Sequence, residues 1–181
     1  MTRRLVRIGA VTAGAVLAVG MIPGTAHAAS AVVKDPRGDA PRVADITQLR
    51  VKNGPARVSG VLTIPHRNKK KLASTDLIIK TRDSGRWKYV VSIVRNRKGK
   101  VTDKILGWQR GDDPSTFTVL PCTGIKTSWS GKKTTISVPV SCLSKTTGTR
   151  VKAKAAILAR VGPGHDSYDE VTRFSRYVKR G

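Results

Sequence analysis

From Arg57 to His66 the chain reads RVSGVLTIPH, which puts Val58, Gly60, Leu62 and Ile64 on one side of an extended backbone. Period two is the spacing of a strand with one buried face, and it excludes an amphipathic helix over the same residues. The run just before it, ADITQLRVKN, carries Ile46, Leu49 and Val51 with one slip in spacing, and Asn53-Gly54-Pro55 between the two is a turn signal. The pair therefore predicts a hairpin. TDLIIKTR (Thr75 to Arg82) and WKYVVSIVRN (Trp87 to Asn96) repeat the arrangement around Asp83-Ser84-Gly85, and VTDKILGW follows a basic turn. STFTVLPC, IKTSWS, KTTISVPV and RVKAKAAILAR continue the habit, with only Ala153 to Ala159 compatible with a short helix. The expectation is an all-β fold, an antiparallel β-sandwich of about eight or nine strands.

The first residues obey a different rule. Arg3, Arg4 and Arg7 precede an apolar run from Ile8 to Ile22, and Ala26-His27-Ala28 offers small residues for cleavage. This is the pattern of a secretory signal, too short and glycine-rich to span about 30 Å of hydrocarbon, with no second apolar stretch behind it. The chain divides into residues 1–28 as signal peptide, 29–42 as an N-terminal segment turning into the first strand, and 43–181 as the sandwich. A secreted or cell-envelope location is expected, with no membrane span after cleavage. Removing 28 residues from 181 leaves 153, enough for one domain with a real core.

Two cysteines, Cys122 and Cys142, have one possible pairing, and export makes a disulfide the expected state. A metal or redox role would need closer cysteines or neighbouring histidines. The turn SCLSK after VPV is expected to pack Leu143 inward.

Charge sets the partners. Of 181 residues 35 are Lys or Arg and 11 are Asp or Glu, a formal +24 that falls to +21 when three arginines leave with the signal. Such a field attracts anionic envelope polymers or acidic polysaccharide, and nucleic acid nonspecifically at low salt. No motif for reading a nucleic-acid groove accompanies it. Lys69, Lys70, Lys71, Arg97 and Lys98, in HRNKKK and RNRKGK, are the candidate polyanion contacts. Arg150, Lys152 and Lys154 share the outward face of their strand.

The rare acids fall in groups. Asp35, Asp39 and Asp45 lie in VVKDPRGDAPRVADI, and Asp166, Asp169 and Glu170 near the end. Calcium needs several hard oxygen ligands on a rigid loop, so Asp35, Asp39 and Asp45 form a candidate calcium site, while local turn capping is the structural alternative. If the first and last segments of a sandwich meet, the two acid groups meet, which favours the cation. Arg37-Gly38-Asp39 spells an adhesion tripeptide, but three residues recur by chance. Trp87 and Tyr89, two apart on one strand, form a candidate sugar platform, with core packing as the alternative. His66 and His165 are the histidines remaining after cleavage, and no nucleophile or zinc-ligand motif stands beside them.

The order of DPRGD, ADI, RVSGVLTIPH, WKYVV, PCTG, VPVSCL and DSYDEVTRFSRYVKRG resembles a family of secreted actinobacterial proteins over nearly all of the mature chain. Its members usually continue the second cysteine segment with Gly-Pro, where Ser144 and Lys145 stand here. The resemblance implies an extracellular β-sandwich and no particular reaction. The leading expectation is an exported non-catalytic sandwich that binds anionic polymers or surfaces. The alternatives are a carbohydrate-binding-like module with a calcium-stabilised loop, and a hydrolase whose site forms only in space. Oligomeric state is not legible.

Overall fold

The computed structural model describes residues 29–181 apart from Thr147, Pro163 and Gly164, so the signal-peptide assignment lies outside the described residues. Among the described residues twelve strands form two packed antiparallel sheets. Sheet A runs in the order β1 (Ala29–Lys34), β2 (Gln48–Asn53), β3 (Arg57–Thr63), β9 (Lys133–Pro139), β8 (Lys126–Ser130). Sheet B runs β11 (His165–Glu170), β10 (Arg150–Gly162), β4 (Leu72–Thr81), β5 (Trp87–Arg95), β6 (Val101–Arg110), β7 (Thr118–Leu120), and the two-residue β12 (Val178–Lys179) pairs with β10. Both expected hairpins are present, β2 with β3 and β4 with β5. Among the described residues, no helix is long and apolar enough to cross a membrane.

The core lies between the sheets and follows the alternation. Val58, Leu62 and Ile136 from sheet A meet Leu77, Ile79, Val91 and Ile157 from sheet B, all without exposed surface. Gly60 faces Leu77 so closely that an added Cβ would collide with the leucine methyls. The β3 backbone therefore comes nearer to β4 than any side chain at that position would permit.

Two expectations change. Among the described residues the strand count rises from eight or nine to twelve. Residues 29–42 are not simply a lead-in, because Ala29–Lys34 forms a full strand pairing with β2 from Ala29↔Asn53 to Lys34↔Gln48. Ala31 and Val33 point inward there, a short alternation hidden among small residues. Ala153–Ala159 is strand, as the alternation of RVKAKAAILAR predicts, with Ala153, Ala155, Ile157 and Ala159 packed inward at period two. HDSYDE, poor in strand-forming residues, is also strand because the long β10 offers it an edge to pair with.

Cys122 and Cys142 are disulfide-bonded, with Cα atoms 5.5 Å apart. The bond joins the segment after β7 of sheet B to the 3₁₀ turn Val140–Leu143 after β9 of sheet A, and Leu143 is buried as expected.

Candidate metal site

On the opposite long edge of the sandwich, β1 and β11 bring the two acid groups together. Asp35 follows β1 in the chain, Asp39 stands in the loop that leads to β2, and Asp169 lies on β11. One carboxylate oxygen from each of the three lies within 4.8 Å of the others. Two oxygens bound to the same calcium at about 2.3–2.6 Å stand no more than about 5 Å apart, so this spacing fits a shared ion. Hard carboxylates without nitrogen or sulfur donors suit calcium over zinc.

The loop is shaped to hold them. Asp35 is 7 % exposed, and its Oδ1 accepts from the Thr172 backbone N–H at 3.0 Å and the Thr172 hydroxyl at 3.1 Å. Its Oδ2 is buried without a protein donor. Asp169 is 5 % exposed and accepts the Ile46 N–H through Oδ2 at 2.7 Å. Gly38, at φ +82°, makes the left-handed turn that carries Asp39 outward, a backbone conformation a side chain would strain.

Burial and mutual repulsion both act on these carboxylates, and an added positive charge would relieve them. Burial pushes the Asp169 carboxyl up to about 6 against the pull of the Ile46 N–H, and the negative charges of Asp39, Asp35 and Asp45 push in the same direction as burial. Burial also raises Asp35, against its two Thr172 hydrogen bonds, with Asp39 and Asp45 adding to the rise. A divalent ion at the centre would remove both penalties.

Of the acids Asp35, Asp39 and Asp45 named from the sequence, the first two stand with Asp169, 124 residues beyond Asp45, in the three-carboxylate group. Asp45 lies beside them, buried, accepting the Gly38 N–H through Oδ2 at 3.1 Å while its Oδ1 is buried without a protein donor. The second acid group was the signal for Asp169, and the antiparallel return of β11 along β10 supplied the proximity.

No family model, no curated protein and no solved structure matches this chain.

The other candidates distribute as follows. Tyr89 has no exposed surface and tilts against Trp108 with ring centroids 4.4 Å apart, while Trp87 stacks on Trp108 at 5.3 Å. The two residues do share a face, but it is the inward one, so Tyr89 presents no ring to a sugar. The polyanion candidates do meet. Lys70, Lys71 and Arg97 line a cavity of about 760 Å³ with Arg160, Lys69 packs against the turn at Gly99, and Lys98 is exposed in that turn. Beneath them Arg95, 3 % exposed, stacks 4.0 Å from the Trp129 ring, with Arg67 at 4.8 Å and Lys69 at 5.6 Å. Burial pulls the Arg95 guanidinium down to about 10, and the charge of Arg67 adds to the effect. His66 is exposed with Nε2 3.3 Å from Arg42 Nη2, and His165 is exposed at the start of β11.

Proposed function

We propose that this chain is an exported, non-catalytic binding module of the carbohydrate-binding type, whose N-terminal loop and edge strand β11 are fastened by calcium at Asp35, Asp39 and Asp169. The observation that carries the reading is the convergence of three carboxylates, two of them buried, around an Asp35 oxygen with no protein donor. A buried carboxylate without a counter-charge costs several kcal/mol, and a fold that gathers two of them is arranged for a cation. Export is supported by the N-terminal sequence pattern and agrees with a disulfide as the state of both cysteines. The deciding experiment is calcium titration of the mature chain followed by calorimetry and by luminescence of bound terbium. Saturable binding that disappears in Asp35→Asn with Asp169→Asn supports the site, and an undiminished signal in that variant removes it.

A second reading rests on the basic end of the sandwich. Lys70, Lys71, Arg97 and Arg160 around one cavity offer anionic polymer a concentrated contact, which favours adsorption to anionic envelope polymers or acidic polysaccharide through the same module.

A further inference from the structure

Sheet B turns its other face to solvent, and a second cleft crosses it. Its floor is apolar, made by Ile78 of β4, Val90 of β5 and Ala156 of β10. Around the floor stand Asp76, Gln109, Lys88 and Lys154, with Tyr168 and Glu170 of β11 as one wall. The cavity measures about 380 Å³, within the range of about 300–1,000 Å³ in which small-molecule and sugar sites fall.

We infer that this cleft binds a neutral hexose chain, with Tyr168 as its stacking ring and calcium at Asp169 holding its wall in place. Three observations lead there. Tyr168 is 57 % exposed, a large aromatic ring left in solvent beside a cleft, which is the surface a pyranose ring needs for apolar stacking. The polar rim is fixed in advance, because Lys88 Nζ bonds Asp112 and Lys154 Nζ bonds Glu170, each at 2.6 Å. Asp76, also in the lining, accepts from the Ser74 hydroxyl at 3.4 Å through Oδ2, and its Oδ1 is buried without a protein donor. The lining carboxylates Asp76, Asp112 and Glu170 outnumber the ammoniums Lys88 and Lys154, so in a strongly basic chain this cleft disfavours a polyanion. Paired carboxylates and ammoniums with a glutamine amide match alternating donor and acceptor hydroxyls, which points to an uncharged sugar.

The link to calcium follows from period two, and this part of the inference rests on the calcium reading above. Asp169 points inward to the acid site, so its chain neighbours Tyr168 and Glu170 point outward into the cleft. β11 is an edge strand whose pairing runs to β10 alone. A cation gripping Asp169 therefore fixes the position of the wall one peptide plane away on either side.

Isothermal titration of the mature chain, in millimolar calcium and again in chelator, tests both parts. The probes are the six-residue oligomers of glucose, mannose, xylose and N-acetylglucosamine, with hyaluronan as the charged comparison. The expected result is that at least one neutral oligomer binds, that Tyr168→Ala weakens it roughly tenfold or more, and that Tyr168→Phe keeps it. Tyr168 is exposed, so its replacement leaves folding intact, and unchanged thermal melting verifies this. Failure of every neutral oligomer to bind the calcium-loaded chain overturns the cleft, while a calcium-dependent rise in melting temperature in the same samples would leave the metal site standing. Binding lost in Tyr168→Ala but indifferent to chelator would keep the cleft and overturn its dependence on calcium.

Discussion

Asp169 accepts the backbone N–H of Ile46 at 2.7 Å, joining β11 of sheet B to the loop that enters β2 of sheet A across 123 residues of sequence. The bond is buried, and the acceptor is a carboxylate that burial has pushed up to about 6. An added positive charge at this place would relieve the burial of that carboxylate.

Calcium should stabilise the folded chain. With affinity in the range of extracellular calcium modules, about 10⁻⁴–10⁻³ M, 10 mM calcium is roughly 10 to 100 times the dissociation constant and adds about 1.4–2.7 kcal/mol. For a chain of this size that is a rise of about 3–10 °C in melting temperature. Scanning calorimetry with calcium and with chelator measures it, and superimposable curves would remove the cation from the fold.

Cys122 and Cys142 close a loop with a sequence separation of 20. Replacing both by Ser should cost about 3 kcal/mol in the chain-entropy model, read as a lower urea midpoint with a similar slope. A loss below about 1 kcal/mol would mean that the unfolded loop is already restricted.

Asp76 is a desolvated carboxylate in the outer cleft, held above its ordinary value by burial against the hydrogen bonds of Ser92 and Ser74. An acid raised in the folded state binds its proton more tightly there than when unfolded, so its contribution to stability falls as pH rises from the ordinary carboxylate range through the folded value. Asp76→Asn should therefore melt higher than the parent at pH 7, and the difference should shrink on acidification toward pH 3. The same substitution should weaken glycan binding, which would separate a residue kept for its ligand from one kept for the fold.

Gly60 admits Leu77 where a Cβ would collide with it. Gly60→Ala should cost about 1–3 kcal/mol through overpacking, and Leu77→Ala in the same chain should recover part of the loss. Additive losses in the double variant would mean that the sheets move apart instead.

Replacing Lys69, Lys70, Lys71, Arg97 and Lys98 together by Ser should sharply reduce adsorption to an anionic envelope polymer at low salt, while melting changes little. Retention measured on immobilised teichoic acid across a salt series checks this, and unchanged adsorption would move the contact to another basic surface.

Much of the fold was legible because burial enforces a period. The β2–β3 and β4–β5 hairpins carry large apolar residues at every second place and turn residues between them. β1 and β11 were missed because their inward positions are small or charged: Ala31 and Val33 in one, Asp169 in the other. The same ambiguity made Tyr89 look like a platform, since alternation gives a shared face but not which sheet covers it. The metal site was half legible. Asp35 and Asp39 are close in sequence, whereas Asp169 reaches them only after the chain has crossed both sheets, a distance local spacing does not encode.

The sandwich is closed along one long side by the Cys122–Cys142 bond between the β7 and β9 ends, and along the other it gathers Asp35, Asp39 and Asp169 between β1 and β11. Under the proposed function calcium closes the second side, so one fastening needs an oxidant and the other a calcium concentration far above that of cytoplasm. A chain exported as proposed would meet both conditions at once. In a reducing, calcium-poor compartment the same sequence would lack both fastenings.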